Sequence, residues 1–346
     1  MKHIMLAAAE TEAVVFDVGE LASYLGRVHD SRDPRGKVYP LGVLLAVIVL
    51  AKLAGEDRLS GIAEWIQLRR DVLVELFNCK HRRMPCLNII RWVLQEVVRV
   101  EELEEVLRRY LHEAYGGQQS RLIAIDGKSC RRSHDASKEL GALHIVSAWA
   151  SEQGIALGQV AAADKSNEIT AIPQLLDQLD LTHALVTIDA MGCQKEIAQR
   201  IVASRGDFVL AVKDNQPKLH QAIKNYFAKH LANDLEELQY RYFESEDEGH
   251  GRVDERVYYL TRVRKDFAVK AEWPSVKAIG YAVRFTQHAD GSASQEVRYY
   301  IVSRYLSGKR FGEAVRGHWG IESMHWVLDV AFREDDSRTR ERTLGN

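Results

Sequence analysis

The spacing of apolar residues along the chain changes character twice. From residue 17 to residue 112 it is helical. Residues 41–53 are almost wholly apolar and are entered through Pro40. Residues 60–68 follow the Gly55-Glu56-Asp57 break, with Ser60 as the expected N-cap. A short segment at 72–77 and a long amphipathic one at 87–110, after Pro85, complete a helical region. Beyond the polar, glycine-bearing stretch Gly116-Gly117-Gln118-Gln119-Ser120, short strands are predicted at 121–125, 143–150 and 155–162. The last two are joined by Ser151-Glu152-Gln153-Gly154. There follow a helix at 169–179, a buried strand at 184–188, a helix at 194–204 carried by Ile197, Ile201 and Val202, a strand at 208–212 and a helix at 217–230. Residues 238–305 are β-rich, with strands around 240–243, 256–260, 278–285 and 297–302 and a hairpin turn at Asp290-Gly291. Residues 312–332 return to helical spacing.

Strand, strand, strand, helix, strand, helix, strand and a late helix is the ribonuclease-H-like order. The expected fold is therefore α/β: a mixed sheet with a β-rich insertion at about 238–306, preceded by an all-helical domain. The boundary falls at about 115/116, with residues 116–346 forming the second domain. In such sheets functional groups collect at the carboxyl ends of strands. Two apolar runs stop at an aspartate, 122–125 at Asp126 and 184–188 at Asp189. If the runs are adjacent parallel strands, about 4.8 Å apart, the two carboxylates stand side by side. Each then raises the other's pKa, and a divalent cation removes that cost. The plainer reading of Asp189 is a residue that closes a strand or caps the next helix.

Composition narrows the picture only slightly. The chain has 346 residues, 46% hydrophobic and 28% charged, with a net charge of −2. It is an ordinary folded protein that does not advertise a nucleic-acid partner, although a whole-chain sum can hide a basic face. Clusters at Arg69-Arg70, Lys80-His81-Arg82-Arg83 and Arg108-Arg109 are either solvated surface or phosphate contacts. Cys79, His81 and Cys86 lack the fourth ligand and the spacing of a zinc site. The four cysteines are expected as free thiols in a cytoplasmic protein. The longest apolar run, 38–51, falls short of the roughly 20 residues that a membrane span needs, and the amino terminus has no signal-peptide pattern.

A third acid comes from the late helix. His318, Glu322, His325 and Asp329 fall on one helical face, bracketed by Trp319, Ile321 and Trp326. Gly317 and Gly320 either let the backbone approach DNA or mark a late helix start. The two histidines lack the pairing of helical zinc ligands and are expected to be structural.

With these phrases in place the chain resembles the H-repeat-associated DDE transposases of bacterial insertion sequences. The matching phrases are DPRGKVYPL at 33–41, IAIDGKS at 123–129, KSNEITAIP at 165–173, VTIDAMGCQKEIA at 186–198, KDNQP at 213–217, GHGR at 249–252, and HWGIE with HWVLDVAFREDDSR near the end. The resemblance implies a helical N-terminal domain, a ribonuclease-H-like catalytic domain with a β insertion, and a triad of Asp126, Asp189 and Glu322 that is both catalytic and metal-binding. It implies two Mg²⁺ ions, replaceable by Mn²⁺, and double-stranded DNA as partner, in the form of terminal repeats and target, engaged by a homodimer. Lys128, Arg131, Arg132, Lys213, Asn215, Gln216 and Arg252 are the expected DNA contacts. Asn215 has an alternative reading as the N-cap before Pro217, and GHGR as a plain loop. Two departures stand out. Only Ser323 and Met324 separate Glu322 from the next His-Trp where the family has three residues, which turns the helix by about 100° beyond that point. The chain also stops at Asn346 where relatives continue. The alternative expectation is thus a C-terminally truncated, inactive remnant that still binds DNA.

Overall fold

The computed structural model describes residues 3–6, 14–115, 122–134, 141–162, 168–232, 235–236, 238–249, 252–264 and 267–336. The chain divides into two compact units. The first combines Met1–Gly117 with Ser129–Leu143 and His325–Asn346; the second combines Gln118–Lys128 with His144–Met324.

The first unit opens with a feature the hydrophobic pattern did not signal, an antiparallel pair of short strands, β1 (His3–Leu6) and β2 (Val14–Asp17). Asp17 then caps α1 (Val18–Leu25). Its Oδ1 accepts from the amides of Gly19 and Glu20 at 2.7 and 2.9 Å, which satisfies two of the helix's orphan donors. Next comes α2 (Leu41–Leu53), with the bounds expected from the sequence. Leu44, Leu45, Ala46, Val47, Ile48, Leu50 and Ala51 are all buried, so the helix is apolar all round because it is the centre of its bundle. Around it stand α3 (Leu59–Leu68), α4 (Arg70–Leu76), α5 (Leu87–Trp92) and α6 (Val100–Tyr115).

Two expectations are corrected in this unit. Arg58, not Ser60, holds the cap position of α3, so Ser60 lies within the first turn. The amphipathic stretch from 87 to 110 is not one helix. A π turn at Val93–Val97 leads to an extended Val98 (φ −84°, ψ 127°) before α6 begins. The β-branched run Val97-Val98 favours that extended break over continued helix.

The second unit is built on the sheet. The sheet and its helices comprise β3 (Leu122–Cys130), β4 (Leu143–Ala150), β5 (Ile155–Ala162), α7 (Glu168–Leu176), β6 (Leu185–Ile188), α8 (Lys195–Ala203), β7 (Asp207–Val212) and α9 (Pro217–Leu231); residues 129–130, 143 and 325–330 of these and the following elements fall in the first unit. The insertion supplies β8 (Tyr240–Gly249), β9 (Arg252–Arg262), β10 (Ala278–His288) and β11 (Ala293–Val302), followed by α10 (Gly308–Gly317) and α11 (Trp319–Val330). Among the described residues the nine strands from β3 onward form one mixed sheet in the order β5-β4-β3-β6-β7-β11-β10-β9-β8. The first five are in the ribonuclease-H-like order, with β3 parallel to β6 and β6 parallel to β7. The insertion continues that sheet: β11 runs antiparallel to β7, pairing Tyr299 with Val212 through to Val302 with Val209.

Alternation along the strands sorts side chains between the two faces. Ile123, Ile125, Val186 and Ile188 pack with Ile172 and Leu175 of α7, Ile197 and Ile201 of α8, and Ile223 and Phe227 of α9. Leu122, Leu185 and Val209 point the other way and pack with Phe311 and Ala314 of α10. Ser307 caps α10, its Oγ accepting from the Arg310 amide at 3.1 Å, so the late helix starts at Gly308 rather than at 312. It breaks at His318, and α11 begins at Trp319. The expected face from His318 to Asp329 therefore crosses a helix junction. The two glycines flank the start of α11, as one expectation had it, and each also serves packing. A Cβ at Gly317 would overlap Leu122, and one at Gly320 would stand 3.1 Å from Trp149 Nε1. Both let a helix close onto the sheet.

The tightest helix approach predicts a measurable cost. A Cβ on Gly42 of α2 would overlap the Ala22 carbonyl and stand 2.7 Å from the Gly26 amide nitrogen, all backbone of or next to α1. Gly42→Ala is expected to destabilise the protein by about 2 kcal/mol or more, whereas Gly249→Ala, with nothing within 4 Å of the new methyl, stays within about 0.5 kcal/mol. Urea unfolding followed by circular dichroism checks the pair.

Candidate active site

The parallel register of β3 and β6 matches Ile125 with Ile188, so the next residues, Asp126 and Asp189, leave the two strands side by side. Pleat parity adds a direction. Leu122 and Leu185 belong to the face covered by α10. Asp126, four residues past Leu122 on the same strand, is on that face too. Thr187 also points there, its Oγ1 lying 3.1 Å from Nδ1 of His318.

Asp189 lines a cleft of about 380 Å³ with Thr187, Lys213, Asp214, His220, Arg298, His318 and Glu322. Its Oδ1 accepts from the amides of Met191 and Gly192 at 2.9 and 3.3 Å, which fixes the turn that leads into α8. The strand-closing reading of this residue thus holds. Burial pushes the Asp189 carboxyl up, and the neighbouring charges of Asp126 and Glu168 push it further, against the two turn amides, which pull it down.

Glu322 is exposed, in the first turn of α11, and faces the same cleft as Asp189. The structure thus sets Asp126 beside Asp189 and places Asp189 and Glu322 along one cleft. Among the described residues it does not form a group of three acidic, histidine or cysteine side chains that could hold one ion as they stand. The donor chemistry of the pair nonetheless suits a hard divalent cation, because Mg²⁺ keeps several waters and needs only one or two carboxylates plus substrate phosphate.

The expected DNA contacts separate into groups. Lys128 lies on β3, two residues beyond Asp126, and Lys213 lines the cleft. Asn215 is not an N-cap: Gln216 holds the cap position of α9, and Asn215 Nδ2 donates to the Ala190 carbonyl. Gln216 Nε2 donates to the Cys193 carbonyl at 3.0 Å. Both amides therefore hold the Asp189 turn in place. Arg131 and Arg132 fall in the first unit, 3.4 and 3.3 Å from Asp335 and Asp336. Arg252 faces Gly249 at the closed end of the β8–β9 hairpin, 3.3 Å from Asp254; His250 and Gly251 of that motif lie outside the described residues, as do Lys165, Ser166 and Asn167 of the KSNEI phrase.

Apart from Arg252, the arginines of a second hollow escaped the sequence reading. A hollow of about 210 Å³ in the insertion is lined by Arg252, Arg256, Arg284, Arg298 and Arg316 beside Trp319. Arg298 stacks over the Trp319 ring at 4.9 Å. Asp254, Asp247 and Glu296 hold these guanidiniums. Arginines 252, 256, 284 and 298 sit on three different strands, so no run of basic residues betrays them. Glu168 and His144 were missed too, because single ionisable residues inside apolar segments carry no periodic signal.

Comparison with known proteins fits this geometry. Residues 117–343 match the family model described as "Transposase DDE domain", and residues 22–111 match one described as DDE_Tnp_1-associated. "Putative transposase YncI" of Escherichia coli O157:H7 is 37% identical over 328 residues, which is 93% of this chain and 83% of that protein. "H repeat-associated putative transposase YhhI" of Escherichia coli strain K12 is 31% identical over 329 residues, 94% of this chain and 86% of that one. "Putative protein YbfL" of the same strain is also 31% identical, over the same shares. DNA is the substrate of this family, its DDE domains generally use divalent metal ions, and no helix among the described residues is long and apolar enough to cross a membrane. With an acid at the end of each central parallel strand and relatives of this kind along nearly its whole length, the chain belongs to the DDE transposase family, alongside the H-repeat-associated proteins.

Proposed function

We propose that this protein cuts phosphodiester bonds at the ends of an insertion sequence and joins the freed 3′ ends to target DNA, with Asp126, Asp189 and Glu322 as its working acids. The observation that carries this reading is the in-register parallel pairing of β3 with β6, which sets Asp126 beside Asp189 on the face that α10 covers. Asp126 and Asp189 offer hard oxygen donors from rigid strand ends, and Glu322 faces the cleft that Asp189 lines. Two divalent cations of the magnesium type, when bound, would activate the attacking oxygen and stabilise the leaving one. Asn215 and Gln216 hold the Asp189 turn so that its carboxylate keeps one direction. Lys213 in the cleft and the arginines of the insertion supply positive charge for the DNA backbone. Residues 1–115 act as a DNA-contacting domain and residues 116–346 as the catalytic one, two copies act on paired ends, and the reaction takes place in the cytoplasm.

The second reading, an inactive chain that still binds DNA, draws on the three acids' failure to form a single ion-holding group. Cleavage of plasmid carrying the terminal repeats, in Mg²⁺ or Mn²⁺, separates the two. Under the first reading Asp126→Asn, Asp189→Asn and Glu322→Gln each lower the cleavage rate by about 10³-fold or more, equivalent to about 4 kcal/mol of lost transition-state stabilisation. Wild-type protein that binds the repeats but cuts no faster than these variants leaves the second reading standing.

Electrostatics gives a prediction of opposite sign for stability. The Asp189 carboxyl is raised by burial, Asp126 and Glu168, so ionising it costs folding energy. That cost appears as pH rises from the unfolded carboxylate range through the folded value, and it persists above it. In metal-free buffer at neutral pH, Asp189→Asn should therefore raise the melting temperature, by about 2 °C or more. A lower melting temperature would show that the charge is already compensated.

The arginine-lined hollow is tested by salt dependence. Arg298→Ala and Arg316→Ala should each weaken DNA binding and reduce the slope of log K against log salt by about 0.9 for every phosphate contact removed. An unchanged slope would assign those arginines to internal pairing alone.

A further inference from the structure

Two buried ionisable side chains stand next to the aspartate pair and have no part in the scheme above. Glu168 is the first residue of α7 and His144 the second of β4. They are 3% and 1% exposed, with His144 Nε2 lying 3.1 Å from Glu168 Oε2.

Their position depends on the residue after Asp126. A Cβ at Gly127 would stand 2.8 Å from Cδ and 2.9 Å from Oε2 of Glu168, and would overlap His144 Nε2. Glycine at 127 therefore lets the carboxylate close directly over the β3 backbone. Asp126 and Gly127 point to opposite faces of the strand, so Glu168 reaches the strand end from the side facing away from the cleft. As pure packing this is a poor choice. An apolar pair of similar volume would bury no polar group beside the strand end. The arrangement makes sense where negative charge is wanted.

Building on the triad reading above, we propose that Glu168 is a fourth acidic member of the site, oriented by His144 and given room by Gly127, which strengthens the hold of the Asp126–Asp189 pair on a divalent cation. Three charges then converge on the strand ends from both faces of the sheet, and Glu322 closes the cleft side. The site's demand for a cation is greater than an aspartate pair alone would create.

The test uses the full chain without DNA and Mn²⁺ alone as probe, its affinity measured by the loss of the free-ion electron paramagnetic resonance signal. Wild type, Glu168→Gln and Asp189→Asn are compared, each checked for folding by circular dichroism. Glu168→Gln keeps a hydrogen-bonding group for His144 and removes the charge. The expected result is Mn²⁺ affinity lowered about 10-fold or more, the range seen when partners behind metal ligands are removed, with the fold intact. Wild-type affinity in Glu168→Gln alongside weakened binding in Asp189→Asn would overturn the assignment of Glu168 and leave the triad standing. Undiminished binding in both variants would instead remove the triad reading, and this inference with it. If Glu168→Gln does not fold, Glu168→Asp, which withdraws the carboxylate by one methylene, takes its place with the same outcomes.

Discussion

The placement of the chemistry follows from one constraint, the parallel register between β3 and β6. Ile125 opposite Ile188 leaves the next residue of each strand no choice of neighbour, and both are aspartates. Strand period then selects the face. A slip of one residue would turn one carboxylate into the apolar layer formed by α7, α8 and α9. Ile123, Ile125, Val186 and Ile188 on one side, and Leu122 and Leu185 on the other, hold the register because both faces are buried. Two like charges are thus forced together by hydrophobic packing that is indifferent to them.

The insertion contributes through the same sheet. Because β11 pairs antiparallel with β7, β8 to β11 extend the central strands rather than form a separate body. The return of the chain from β11 into α10 lays that helix back over β3, where Gly317 lets it settle on Leu122. The turn at His318, within hydrogen-bonding distance of Thr187 on β6, starts α11 and so sets where Glu322 stands. One continuous sheet therefore carries the two aspartates, fixes the helix that bears the glutamate, and supplies the strands from which arginines 252, 256, 284 and 298 project.

Much of this was legible in the sequence because it depends on period and on punctuation. The bounds of α2, β4 and β5 follow directly from apolar runs, and the parallel neighbours follow from element order. Where local signals compete, the reading failed. Ser60 looked like a cap but lies inside a helix already begun at Leu59. The amphipathic stretch around Val97 and Val98 has helical spacing but β-branched residues that break it. Asn215 offered an N-cap before Pro217, yet Gln216 holds that position, and both amides bond to carbonyls of the Asp189 turn, a contact between segments more than 20 residues apart. The arginine hollow and the Glu168–His144 pair were illegible for the same reason: each is assembled from separate elements, and no local pattern encodes it.

The distribution of charge makes physical sense only when both sides of the site are considered. Asp189 is raised by burial and by two neighbouring acids, which costs stability in the isolated protein. On the insertion, Asp247, Asp254 and Glu296 hold the guanidiniums in fixed directions. Five arginines line the hollow against three such acids, leaving positive charge in excess. DNA, the substrate of this family, carries backbone phosphates whose negative charge complements that excess. The apolar layers on both faces of the sheet hold the two aspartates side by side at the strand ends, at the edge of the cleft.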